Sequence, residues 1–161
     1  IVISNSSRVA GDELNEDIIN YVKREMNLAI GETTAEQIKI NIGCAKPLLT
    51  EESMEIRGRH LSTGLPQVQE AINDSIEKII EIIKQTLEKT PPELASDIME
   101  RGIVLTGGGA LIRNFDTLLA ERTEMPVYVA DHPLECVAKG AEKTLEDLEK
   151  LRTVLSNSRR R

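Results

Sequence analysis

Residues 101–119, RGIVLTGGGALIRNFDTLL, decide the fold. Ile103, Val104 and Leu105 form a short apolar run that reads as a buried strand. The run stops at Thr106 and at three consecutive glycines, Gly107, Gly108 and Gly109. Apolar residues at helical spacing then run from Leu111 and Ile112 to Leu118 and Leu119. A strand, a glycine turn and a helix start leave bare backbone against which a ligand can lie, facing the helix's free N–H groups. The same arrangement also serves simply to pack a helix on a strand. The turn is not the dinucleotide fingerprint, because Ile112 holds the third glycine position, and it is not a P-loop, because no Gly-Lys-Ser/Thr follows.

Downstream, Pro126 introduces a strand from Val127 to Ala130. Two strands joined by one helix form a right-handed crossover and pair in parallel. A ligand in such a sheet lies beyond the carboxyl ends of the strands, where Gly107 to Leu111 fall. A last helix opens near Pro133, with Val137, Ala141, Leu145, Leu148, Leu151 and Leu155 as its buried stripe.

Upstream, residues 1–10 read as a strand broken by the polar patch Ser4 to Ser7. Asp12 is positioned to cap a helix whose apolar face is Leu14, Ile18, Ile19, Val22 and Met26, and which ends at Gly31. Thr33 and Thr34 open a short second helix with capping-box spacing to Glu36 and Gln37, and it stops at Gly43. Met54 to Arg57 alternate like a strand with one wet face. The clearest helix carries Val68, Ile72, Ile76, Ile79, Ile80, Ile83 and Leu87 on one stripe. It breaks at Thr90-Pro91-Pro92-Glu93, where Thr90 can cap, Pro91 suits the first helical position and Glu93 completes a capping box.

Composition excludes several classes. Acidic residues outnumber basic ones by 27 to 20, and no basic stripe precedes Arg159-Arg160-Arg161, so a duplex-binding surface is not expected. One Phe, two Tyr and no Trp leave no stacking platform for single strands. No apolar run approaches membrane-spanning length and no secretory leader is expected. Cys44 and Cys136 stand far apart and outside any C-x-x-C, which fits reduced, buried thiols in the cytoplasm. Ile1-Val2-Ile3 opens mid-strand without Met, so the chain reads as part of something longer.

Glu36 and Lys39 are three apart and share a helical face. A carboxylate accepts from the two hydroxyls of a ribose, and a lysine stem covers a base edge. An exposed intrahelical ion pair explains the same two residues. His60 and His132 join no triad or metal cluster, and Asp12 and Glu13 are accounted for by capping. Phosphoryl transfer needs a second phosphate cradle, a carboxylate-held Mg²⁺ and a group that orients water. Every other glycine is isolated, so this chain alone is expected to be a poor ATPase, with no catalytic residue of its own.

Taken together, RVAGDEL (8–14), INYVKR (19–24), TAEQIK (34–39), EIRGR (55–59), TGLP (63–66), LEKTPPELASDIMERGIVLTGGGALIRN (87–114) and DHPLECVAKGAEKTLE (131–146) resemble the MreB/Mbl family of bacterial actins. The resemblance covers the family's second half and implies an α/β fold: the carboxy-terminal, ribonuclease H-like lobe of an actin-like ATPase with a small inserted subdomain. The core would be residues 1–31 and 90–161, and the insert residues 32–89. Gly108, Gly109, Ala110 and Leu111, with Glu36, Gln37, Ile38 and Lys39, would line the adenosine side of an ATP or ADP site. Both phosphate loops and the Mg²⁺ ligands would belong to the amino-terminal lobe.

The resemblance further implies a role in rod cell shape and in guiding cell-wall synthesis. It implies self-association into filaments, contacts with RodZ and cell-wall elongation proteins, and a cytoplasmic location at the inner face of the membrane, reached through the other lobe. One departure is evident: the family's second short strand after TGLP is missing, and Gln67 to Glu70 run almost directly into the long helix. Two rival readings are a sugar-kinase-like or phosphatase lobe of the same superfamily, and an actin-like module that docks a partner without nucleotide.

Overall fold

The computed structural model describes residues 2–47, 54, 56 and 68–146. Among these residues six α-helices and two strands follow one another as α1 (Gly11–Met26), α2 (Glu32–Ile42), α3 (Val68–Glu88), α4 (Pro92–Arg101), β1 (Ile103–Leu105), α5 (Phe115–Thr123), β2 (Val127–Val129) and α6 (Cys136–Glu146). Single 3₁₀ turns at Gly108–Leu111 and Pro133–Glu135 follow the strands.

Periodicity explains the core. On α1, Leu14, Ile18 and Val22 recur at helical spacing and are buried. On α3, Ile72, Ile76 and Ile80 do the same, with Ile79 and Ile83 half-buried beside them. Ala35, Ile38 and Ile42 of α2, and Phe115, Leu118 and Leu119 of α5, complete one continuous cluster. Ser75 is the polar residue in the α3 face, and its hydroxyl donates to Asp17 of α1 at 2.5 Å, so its burial is compensated. Ile56 is buried and Met54 packs on the cluster; the remainder of the strand expected around them lies outside the described residues.

β1 and β2 pair in parallel, Ile103 with Val127, Val104 with Tyr128 and Leu105 with Val129. The expected parallel crossover is therefore present. The strand is not fully buried, however. Ile103 and Leu105 pack on the core, while Val104 on the opposite face is 60% exposed, because no helix among the described residues covers that face. The stripe of α6 is likewise open, with Val137 81% and Leu145 67% exposed. Leu148, Leu151 and Leu155 lie outside the described residues.

Residues 2–10 form no strand. Ser6 N–H donates to Asn5 Oδ1 and Val9 N–H to Ser7 Oγ, so short polar side chains take the donors that a sheet ladder would use. The expected caps also differ. Ala10 precedes α1 and Asp12 lies in the first turn, where its charge still complements the helix dipole. Asn27, left-handed at φ 50°, closes α1 ahead of Gly31. The Thr33–Thr34 capping box is not formed, because Gly31 precedes α2 and accepts from Thr34 N–H and Ala35 N–H. Thr90 does not cap α4, since its hydroxyl donates back to Thr86 O at 2.9 Å; Pro91 precedes the helix and Pro92 opens it.

Gly102 delivers the chain from α4 into β1 at φ 79°. A Cβ there would stand 2.6 Å from Pro126 O and 2.7 Å from Tyr128 Cε2, so glycine is required both by conformation and by the close approach of β2. Cys44 is buried, as expected, but Cys136 is only half-buried, its thiol donating weakly to the carbonyls of Asp131 and His132 at the start of α6.

Candidate functional site

The glycine turn after β1 does not open an α-helix directly. Gly107 takes φ 81°, ψ 177°, a conformation reserved for glycine, and its N–H donates to Pro133 O at 2.9 Å. Gly108–Leu111 then make one 3₁₀ turn, and α5 begins only at Phe115, after Asn114 in the left-handed region. The apolar spacing from Leu111 to Leu119 hid this interruption, because one left-handed residue does not break the pattern of buried positions. Bare main chain is nevertheless what the turn offers. A Cβ on Gly107 or Gly109 would meet nothing within 4 Å, and one on Gly108 would touch only Leu134 Cδ2 at 3.6 Å. Ala110 is buried, whereas the Leu111 side chain is exposed.

Glu36 and Lys39 are more than an isolated surface pair. Lys39 Nζ donates to Glu36 Oε2 at 2.7 Å and to Gly11 O, at the start of α1, at 3.1 Å. Asn15 of α1 donates its Nδ2–H to the same Glu36 oxygen at 2.8 Å. The lysine side chain is only 12% exposed, while that of Glu36 is 45% exposed. The Lys39 and Asn15 hydrogen bonds hold the Glu36 carboxyl below its ordinary pKa, against a smaller opposing effect of burial. Its second oxygen, Oε1, takes no hydrogen bond among the described residues and remains an acceptor. α2 thus offers a fixed carboxylate with a spare oxygen, and the glycine turn offers open main chain. Gln37 is exposed, and Ile38 is fully buried, so a ligand could meet Ile38 only through its main chain.

Two residues of this region were not legible in the sequence. Asn15 interrupts the apolar face of α1, is buried, and its Oδ1 has no hydrogen-bond partner among the described residues. Arg113 follows the glycine turn and bonds the exit of α2. Its Nη2 donates to Asn41 O at 2.7 Å and its Nε to Gly43 O at 3.3 Å. Its own carbonyl accepts from Ala45 N–H at 2.8 Å, beside an isolated parallel bridge between Cys44 and Arg113. Only tertiary packing shows either role.

His132 is left-handed and exposed before the Pro133 turn, and His60 lies outside the described residues. Among the described residues no three His, Cys, Asp or Glu side chains gather as a metal site. An aliphatic cavity of about 380 Å³, lined by Ile82, Ile83, Leu87, Ile98 and Ile103 with Asn5 and Thr86 at its polar edge, shares no residue with the glycine turn or the Glu36–Lys39 pair.

The family model described as MreB/Mbl protein matches residues 1–153. The chain belongs to the MreB/Mbl family. This MreB/Mbl chain is 46% identical over 159 residues to the cell shape-determining protein Mbl of Bacillus subtilis, covering 94% of the chain and 48% of the relative. It is 49% identical over 154 residues to the cell shape-determining protein MreB of Escherichia coli, covering 91% of the chain and 44% of the relative. It thus spans about half the length of the curated relatives it matches. Among solved structures, MreB5 of Spiroplasma citri bound to ADP superposes with a TM-score of 0.84 at 38% identity, over 92% of this chain and 48% of that one. The fold of the MreB/Mbl chain is accordingly a partial α/β unit consistent with one lobe of the actin-like fold.

Proposed function

We propose that this chain is the carboxy-terminal lobe of a rod-shape-determining bacterial actin and supplies the adenosine side of an ATP or ADP cleft. In this reading Glu36 Oε1 accepts from the ribose hydroxyls, and the Lys39 stem with Gln37 and the Ile38 main chain flanks the base. Gly108, Gly109, Ala110 and Leu111 form the opposite wall through their main chain. The observation that carries the reading is the combination of a pinned, half-exposed carboxylate with a turn whose Gly109 would admit a Cβ into empty space. The ADP bound to the Spiroplasma relative supports the same ligand here. The polyphosphate and Mg²⁺ would rest on the amino-terminal lobe, so hydrolysis belongs to the two lobes together.

The same reading makes residues 1–31 and 90–161 the core of the lobe and residues 32–89 its insert. It gives the lobe one face of the longitudinal filament contact, in a cytoplasmic cytoskeleton that guides cell-wall synthesis at the inner membrane surface. RodZ, cell-wall elongation proteins and the membrane would be met by the assembled protein.

Calorimetric titration with ADP, adenosine and tripolyphosphate tests the ligand assignment. Adenosine and ADP are expected to bind within about tenfold of each other, a difference of about 1.4 kcal/mol, and tripolyphosphate is not expected to bind. Binding led by tripolyphosphate, or none by adenosine, contradicts it.

A further inference from the structure

We infer that Arg113 is a positioning residue for the nucleoside site, setting the distance between its two walls. The inference rests on the reading above, since it concerns the same site. α2 carries Glu36 and Lys39, and its last carbonyls have no partner within the helix. Two of the carbonyls at this exit, Asn41 O and Gly43 O, accept from the Arg113 guanidinium at 2.7 and 3.3 Å. A cation at a helix carboxyl end also meets the negative end of the dipole. Arg113 O accepts from Ala45 N–H, so main chain and side chain of one residue grip the same exit.

The covalent distances are short on both sides. Asn41 is two positions after Lys39, and Arg113 is two positions after Leu111. A shift of the α2 exit relative to Arg113 therefore moves the carboxylate wall relative to the glycine wall. A planar two-point fork fixes direction as well as distance, which an ammonium cannot do. The positioning acts on binding geometry, and Arg113 need not touch the ligand.

The experiment is a titration of adenosine diphosphate into the full chain and into Arg113→Gln and Arg113→Lys, followed by amide NMR. In the wild-type chain, amide signals of both Glu36–Lys39 and Gly108–Leu111 are expected to move. In Arg113→Gln the affinity falls about tenfold, and at saturation the Gly108–Leu111 signals move while the Glu36–Lys39 signals stay. Arg113→Lys, which keeps the charge without the fork, loses affinity by about threefold. A residue that merely stabilised the fold would leave both sets of signals responding at saturation. Wild-type affinity with both sets moving in Arg113→Gln overturns the inference alone, whereas no movement of either set in the wild-type chain overturns the nucleoside reading and the inference with it. Should Arg113→Gln fail to fold, Arg113→Lys decides: a wild-type affinity and response there overturns the inference, and a weakened, one-sided response supports it.

Discussion

Replacing Gly109 by Val separates ligand binding from folding. Gly109 lies in the 3₁₀ turn without a left-handed φ, and a Cβ built on it meets nothing within 4 Å. A β-carbon at this position therefore introduces no overlap and no forced conformation. Removing glycine also restricts the unfolded chain, a gain of about 0.4–1 kcal/mol that the branched side chain partly offsets. The net effect on stability is expected to stay within about 1 kcal/mol, or a melting-temperature change below about 4 °C for a chain of this size. In the bound state the same side chain occupies the space where the nucleoside should lie against bare backbone. Affinity for ADP is expected to fall at least tenfold, about 1.4 kcal/mol. Calorimetric titration and a thermal melt on the same preparation read both quantities. A Gly109→Val chain that melts normally and binds ADP as tightly as the wild type shows that the glycine turn does not face the ligand. A loss of more than about 3 kcal/mol in stability shows that the space beside Gly109 is not open.

Gly102→Ala is expected to cost about 2–4 kcal/mol in urea unfolding, combining φ 79° with contacts of 2.6 Å to Pro126 O and 2.7 Å to Tyr128 Cε2; a cost below about 0.5 kcal/mol contradicts the close approach of β2. Ile76→Ala, at a fully buried position of α3, is expected to lose about 2–5 kcal/mol by the same assay, and Ile76→Val about 0.5–1.5 kcal/mol; equal, negligible losses contradict a packed α1–α3 core. Glu36 has its folded pKa lowered, so its contribution to stability is complete above the unfolded glutamate pKa and is lost as pH falls through the lower folded value. Glu36→Gln is therefore expected to flatten the acid limb of a stability-versus-pH curve beginning near the ordinary glutamate range, with little change in its slope near neutrality. An unchanged acid limb contradicts the Lys39–Glu36–Asn15 network.

The long-range organisation was legible where periodicity reports it. Ile72, Ile76 and Ile80 mark α3, and a strand, one helix and a second strand fix the parallel pairing of β1 with β2. What the sequence could not report is partnership. Val137 and Leu145 have the spacing of a buried stripe, yet spacing says only that a helix has an apolar face, and no described residue covers it. Local signals competed as well: the Thr90 hydroxyl, suited to capping α4, bonds instead to Thr86 O in the last turn of α3, and Asn114 halts the chain before α5 without disturbing the apolar pattern. For the site, the three-residue spacing suggested that Glu36 and Lys39 share a face. It could not indicate that Gly11 and Asn15 close over them and bury the lysine, because those contacts join residues more than 20 positions apart.

A crystal structure of the chain with adenosine diphosphate tests the assignment most directly. The expected density has the ribose hydroxyls within hydrogen-bond distance of Glu36 Oε1 and the nucleoside against the main chain of Gly108 and Gly109, with the phosphates leading away into solvent. Density for the nucleotide elsewhere, or a nucleoside whose ribose stands apart from Glu36 while its phosphates are gripped by this lobe, contradicts it.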